Sequence, residues 1–458
     1  MQQIDFSQGS IRRRILAVAT PMLIAQLLNL LYNIVDRIYI GKITGEGTLA
    51  LASIGLCFPF VTLITAFANL FGLGGAPLCA MARGKGNREG AQGIMVNAGF
   101  MLLLSGAVLT VLGIAFHRPL LYLFGASEVT YPYASSYIVI YLIGTLCVML
   151  SLGLNPYINC QGFARTGMLT VALGAAANIV LDPIMIYGLL GCPKLGVAGA
   201  AWATVLGQIA SLALAAVFHF RLNRELPFRR KALRLRRSIV GEIYAIGVPA
   251  IIAQGAMSVM NYCVNLIFGS LDSSYVTAYG IVYKIQQFVL FAAFGLRDAI
   301  TPIVSFSYGM QNAKRIREGV RCGLLYTSVL MLVCTAAVEI LAQPLAGIFS
   351  LSAGTMGLCV TGLRVLAVSF VFAGANIAIQ GVFQATEGGV QSLLVSLLRQ
   401  LIFVLPAAWL FARLLPAGVW LAFPIAEVLT AVIAAVLLRH TAGKGRLSQQ
   451  DHAASLSK

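Results

Sequence analysis

The sequence predicts an all-α integral membrane protein, with twelve membrane-crossing helices in two pseudo-symmetric six-helix bundles around a central cleft. Three observations carry that expectation. Hydrophobic residues make up 59% of the 458 and charged residues only 10%, with a mean hydropathy of +0.87, far from the balance of a soluble domain. Apolar stretches of roughly 20 residues recur, each long enough to cross a hydrocarbon layer about 30 Å thick. The two halves also repeat one plan. The short alternating pattern of a membrane barrel is absent.

Pro, Gly and basic residues punctuate the apolar stretches and set the spans in order. The first is expected near residues 15–40. The cluster Arg12-Arg13-Arg14 ahead of it leads into a full-length span, not the short apolar core of a cleavable signal. The rest of the first half follows near 49–76, 92–116, 131–154, 168–190 and 197–220, and the second half near 243–268, 276–303, 322–343, 354–380, 390–412 and 417–438.

A net charge of +17 raises nucleic acid as a partner, but the basic residues sort by membrane side instead. One side receives Arg12–Arg14, Arg83, Lys85, Arg88, Arg165, the run from Arg221 to Arg237, Lys314 to Arg321 and the basic tail; the other receives little beyond Lys42, Arg118, Lys194 and Arg413. Cytoplasmic loops attract Lys and Arg, so both termini and the central linker are expected in the cytoplasm, with the chain multi-pass in the inner (plasma) membrane and contacting lipid, not nucleic acid. The expected division is an N-terminal lobe over 1–220, a basic linker over 221–242, a C-terminal lobe over 243–438 and a tail over 439–458. Nine cysteines, among them Cys57, Cys79, Cys147 and Cys334, fall mostly within spans without metal-type spacing. Four scattered histidines, His117, His219, His440 and His452, support neither a metal site nor histidine-based catalysis, so no cofactor and no enzyme activity are expected.

The repeat is legible residue by residue. TPMLIAQLLNLLYNIVDRIYIG from Thr20 aligns with VPAIIAQGAMSVMNYCVNLIFG from Val248, so that Pro21, Gln26, Asn33 and Gly41 fall on Pro249, Gln254, Asn261 and Gly269. PLCAMARGKGN from Pro77 matches PIVSFSYGMQN from Pro302, LFGAS from Leu123 recurs as IFSLS from Ile348, and QGFARTG from Gln161 loosely recurs as QATEGGV from Gln384. Six spans per copy is an even number, which makes the halves parallel repeats and their cleft the default substrate site.

Chemically the copies differ, and the difference points to transport. Asp36 falls on Val264, Asp182 on Leu405 and Thr204 on Ala426, so the polar cluster belongs to the first half alone. A carboxylate within the bilayer costs about 3 kcal/mol by insertion scales and is kept mainly where it handles an ion, a proton or a charged substrate. Asn178 and Asp182, four residues apart in NIVLDP, share one face of the fifth span, and Pro183 deprives a carbonyl of its usual donor. Asp36 on the first span and Thr204 on the sixth complete an oxygen cage if those spans pack beside the fifth. Such oxygens suit Na⁺ as a bound metal, and two carboxylates at close range equally suit H⁺, so the coupling ion is read as one of these two. Candidate cleft residues are Gln26, Asn33, Gln254, Asn261 and Glu427, with interhelical bonding the alternative for Gln26 and Gln254; Glu427, Lys284, the Arg297-Asp298 pair, Arg364 and Arg399 are intramembrane charges for which pairing is the alternative.

These residues resemble the multidrug and toxic compound extrusion (MATE) family, prokaryotic DinF-like type, over nearly the whole chain. The resemblance rests jointly on LLYNIVDRIYIG, the RGKGN and YGMQN turns, QGFARTG, NIVLDP and GVAGAAWAT. It implies a monomeric secondary transporter that exports small organic, often cationic, compounds in exchange for Na⁺ or H⁺ by alternating access. It also implies a cation site at Asp36, Asn178, Asp182 and Thr204. The seventh span lacks the acidic residue that NorM-like and eukaryotic members carry, with Met257 its nearest counterpart, which favours coupling in the first lobe. Two rivals stand beside this reading. A lipid-linked saccharide flippase of the same superfamily would use a cationic groove, with Lys284, Arg364 and Arg399 as candidates. An intramembrane prenyl-type transferase would need carboxylates clustered on one helix, whereas Asp36 and Asp182 lie on separate ones.

Overall fold

The computed structural model describes residues 3–43, 45–223, 226, 235–349 and 351–443, with no strand among them. In order, the helices are α1 (Ile11–Gly41), α2 (Gly47–Gly84), α3 (Arg88–Leu123), α4 (Tyr131–Ile143), α5 (Thr145–Cys160), α6 (Ala164–Tyr187) and α7 (Val197–Val217). Then come α8 (Arg237–Gly269), α9 (Ser273–Gly309), α10 (Ala313–Gly347), α11 (Ala353–Ala385), α12 (Gly389–Leu397), α13 (Val404–Leu414) and α14 (Ala422–Gly443). Among the described residues eleven helical spans are long and apolar enough to cross a membrane, and there are twelve if the bent pair α4–α5 is counted as one span. Most of the basic run from Arg221 to Arg237, and the tail beyond Gly443, lie outside the described residues.

The helices outrun their apolar cores because polar residues cap them. In the two repeated turns, Asn87 Oδ1 accepts from the Gly90 N–H at 2.8 Å and Asn312 Oδ1 from the Arg315 N–H at 3.1 Å, satisfying donors that the first turns of α3 and α10 would leave orphaned. Gly86 (φ 73°) and Gln311 (φ 56°) precede these caps in the left-handed region that reverses the chain. The repeated RGKGN and YGMQN turns are therefore helix-initiating turns.

Two expected spans are interrupted. The stretch expected as one helix over 131–154 bends by 58° at Gly144, between α4 and α5. A side chain at 144 would run into Val205 of α7, so the chain passes there only as glycine. Thr110 Oγ1 donates to the Leu142 carbonyl at 3.1 Å, so the break brings no orphaned acceptor there. The span expected over 390–412 carries a π-turn, Leu398–Ile402, between α12 and α13, and this wider turn holds Arg399.

The chain forms two compact units. The first comprises the residues up to Asp5 together with Thr20–Gly247; the second comprises Phe6–Ala19 together with the chain from Val248 on. Each boundary falls inside a long helix, just ahead of the repeat-equivalent prolines Pro21 in α1 and Pro249 in α8. Proline removes an internal hydrogen bond and bends a helix, so the segment ahead of it is free to pack apart from the segment after it. Against the division read from the sequence, residues 6–19 fall in the second unit, and residues 243–247 fall in the first together with the described residues of the linker. Ile11, Ile15 and Val18 are fully buried in the second unit, and the repeat counterparts of the last two, Ile243 and Ile246, are buried in the first. There Tyr244 meets Phe71 edge-on at 5.7 Å, while in the second unit Phe6 meets Phe306 at 5.8 Å. The second unit's core is built on Phe268, Tyr279, Phe370 and Trp420, with Phe268 edge-on to Trp420 at 5.0 Å.

Candidate functional site

The first unit gathers all four residues of the proposed cage. Along α6, Gly174, Asn178 and Asp182 recur every fourth residue and form one stripe, which packs against Thr204, Gly207 and Ser211 of α7. The contact is close because both crossing residues are glycines: a Cβ on Gly207 would lie 2.7 Å from the Gly174 carbonyl oxygen and 3.3 Å from Asn178 Cβ. Gly207→Val is therefore expected to push α7 off α6, at an overpacking cost of about 1–3 kcal/mol. The thermal midpoint of purified protein and its transport rate should both fall; if both match the wild type, the glycine contact is not what sets the site's width.

Asn178 lies between its neighbours. Its amide nitrogen is 3.3 Å from Asp182 Oδ1 and 3.4 Å from Thr204 Oγ1. Turned over, it donates to Asp182 Oδ2 and accepts from the Thr204 N–H, both at 3.3 Å. Asp182 and Asn178 are buried. Asp36 comes in from α1, with its carboxyl group within hydrogen-bonding reach of that of Asp182 and its Oδ1 buried without a hydrogen-bond partner. Two acidic groups at that range, one oxygen unmatched, leave room for a proton or a hard cation to be shared between them. Pro183 continues α6 but offers no N–H to the Ile179 carbonyl.

Tyrosines that the sequence reading did not single out hold the site's edges. Tyr187 of α6 donates to the Tyr39 carbonyl of α1 at 2.8 Å, and the two rings meet edge-on at 6.3 Å, tying α1 to α6 about one turn beyond the carboxylates. Tyr137 of α4, itself buried, stacks on Tyr141 at 6.3 Å. Spacing within one helix reveals Asn178 and Asp182 as partners; contacts made by tyrosines from other helices leave no such mark.

The proposed cleft residues do not converge on this site. Gln26 is half-buried on α1, while Asn33 is exposed and donates to the Asn29 carbonyl of its own helix at 2.7 Å. Gln254 is exposed on α8, and Asn261 accepts from Asn265 at 2.8 Å. Glu427, for which pairing was the alternative to a cleft position, is buried in an ion pair. Arg399 Nε and Nη2 donate to its Oε1 at 3.0 and 2.7 Å, and Asn376 Nδ2 donates to its Oε2 at 2.8 Å and its backbone carbonyl at 3.0 Å. Met257, the position at which NorM-like members are expected to carry an acidic residue, lines a small pocket together with Tyr283, Gln286 and the Arg399–Glu427 pair itself. Elsewhere in the second unit, Arg297 pairs with Asp298 at 2.7 Å, Arg364 lies 3.9 Å from Glu339 on an exposed surface, and Lys284 is exposed. The repeat counterparts of the cage, Val264, Leu405 and Ala426, contribute to the apolar core.

The chain is similar to known transporters over most of its length. The MatE family model matches residues 21–184 and 249–410, one match in each half, beginning at the repeat-equivalent prolines. The multidrug export protein MepA of Staphylococcus haemolyticus (strain JCSC1435) is 26% identical over 388 residues, which span 85% of this chain and 84% of that protein. MepA of Staphylococcus aureus (strain MRSA252) is 22% identical over 434 residues, 94% of each. Among solved structures, an outward-facing multidrug resistance MATE family transporter of the MOP superfamily shares the fold with a TM-score of 0.89 at 24% identity, over 98% of both chains. A MOP superfamily transporter from Pyrococcus furiosus Vc1 (DSM3638), whose reverse pocket polarity suggests a different function, also scores 0.89 at 24% identity, over 97% of this chain and 99% of that one.

Proposed function

Because the chain belongs to the MatE family, whose members are transporters and not enzymes, we propose that it is a secondary active exporter of small organic, often cationic, compounds driven by inward movement of Na⁺ or H⁺. The observation that carries the reading is the pairing of Asp36 with Asp182 inside the cage completed by Asn178 and Thr204. An ion drives alternating access only if it binds one conformation more tightly than the other, and a shared site drawn from three helices changes whenever α1 moves against α6 and α7. With the ion bound, the two carboxylates are bridged and α1 is held; on release, like charges favour separation. The second unit has no comparable open pair among the described residues, since Glu427 is already neutralised by Arg399, so coupling is assigned to the first unit.

Drug export is favoured over saccharide flipping on the same grounds. Of the three cations that would line a flippase groove, Arg399 is committed to Glu427 and Arg364 lies beside Glu339, which leaves Lys284 alone on an exposed face. The staphylococcal relatives are multidrug export proteins, which fits the same reading. The basic helix ends are assigned to the cytoplasm, and the protein to the plasma membrane as a monomer. The test is efflux of ethidium and norfloxacin from proteoliposomes under separately imposed Na⁺ and H⁺ gradients. One gradient should accelerate efflux of both compounds above leak. Efflux that responds to neither, together with binding of a lipid-linked saccharide, would replace the exporter with the flippase.

A further inference from the structure

The first unit carries an apolar groove of about 540 Å³ that plays no part in the cation site. Its walls are Phe100 and Leu103 of α3, Leu150 and Leu154 of α5, and Leu212 and Ala216 of α7. Phe100 and Leu103 are about half exposed; on helices that cross a membrane, apolar side chains so placed meet lipid, not water. The volume is that of a specific small-ligand pocket, yet the lining is almost wholly hydrocarbon.

One end of the groove is flanked by positive charge. Phe220 and Leu235 line it there, and each is next in sequence to an exposed arginine, Arg221 and Arg236, with Arg237 following. The backbone N–H of Arg236 donates to Oδ1 of Asn97 at 2.9 Å, and Asn97 itself lines the groove. The geometry points to a binding site for an anionic phospholipid, an acyl chain lying along α3, α5 and α7 and the phosphate held by Arg221, Arg236 and Arg237. Guanidinium groups grip phosphate oxygens through paired N–H donors, and a basic cluster beside an apolar slot matches both ends of such a lipid. The site rests on the assignment of the basic helix ends to the cytoplasm, where the anionic leaflet lies.

The probe is a phosphatidylglycerol carrying a diazirine on its acyl chain, crosslinked to full-length protein in nanodiscs and mapped by peptide mass spectrometry; no transport is needed, so the result stands apart from the export assay. Labelling should concentrate on residues 95–103, 150–154 and 212–220 and be competed by unlabelled phosphatidylglycerol but not by phosphatidylcholine. Arg221→Gln, Arg236→Gln and Arg237→Gln should each lower labelling about fivefold, the weight of one basic residue near an anionic surface. Ala216→Phe, which fills the groove, should abolish labelling while the arginines stay in place. Labelling spread evenly over all spans, equal competition by phosphatidylcholine, displacement by ethidium instead of lipid, or indifference to the arginine changes would each overturn the site.

Discussion

Asp36→Asn and Asp182→Asn should each reduce gradient-driven efflux to the passive leak of empty vesicles while leaving the protein inserted and substrate still bound. Each change nearly conserves volume and removes an intramembrane charge whose insertion cost is about 3 kcal/mol, so the folded, inserted state is not the casualty. What disappears is the shared acidic pair, and with it the ion's preference for one conformation over the other. Thr204→Ala removes only a neutral ligand and should slow efflux without abolishing it. Substrate binding by fluorescence anisotropy, measured beside efflux, separates the two functions. If both asparagine variants export at the wild-type rate, coupling does not reside in the first unit.

The second large effect is expected at the buried pair of the second unit, and it concerns stability. Glu427→Gln leaves the Arg399 guanidinium buried without its counter-charge, and breaking a buried pair in this way costs about 3–5 kcal/mol. The thermal midpoint and expression level should drop well below those of either aspartate variant, and efflux should fall only in proportion to the protein that remains folded. Replacing both partners, Arg399→Met with Glu427→Leu, should recover most of the midpoint, because an apolar pair of similar size fills the space with no charge to desolvate. Efflux per folded molecule near the wild-type value in the double variant marks the pair as structural. Its complete loss there, with the midpoint recovered, would return Glu427 to the transport cycle.

How much of this was legible in the sequence depends on the range over which each feature is encoded. Hydropathy and charge asymmetry are written locally, and they yield the spans and the duplication. The pairing of Asn178 with Asp182 is also local, being one helical turn. Asp36 and Thr204 join it across helices, and they were legible only because an intramembrane charge is costly and because NIVLDP and GVAGAAWAT resemble family motifs. Arg399 and Glu427 are both costly residues too, and cost alone suggests pairing, but nothing in their spacing names each as the other's partner. Gly144 illustrates the opposite limit. Its stretch is apolar throughout, and the bend arises from Val205 on another helix, which hydropathy does not register. Pro21 and Pro249 were visible as repeat markers, but that each sits at the boundary between compact units is a tertiary fact.

That last feature bears on ancestry. Each unit completes its interior with the opening turns of a helix whose remainder serves the other, and those turns carry matched buried residues, Ile15 and Val18 in one case and Ile243 and Ile246 in the other. A half-length progenitor built on this plan would have had an unfilled slot and a spare plug, and two copies would have met both needs by trading plugs, the reciprocal exchange of a swapped homodimer. On one chain a single copy of the acidic pair serves both halves, and Val264 and Leu405 stand at its repeat positions in the other.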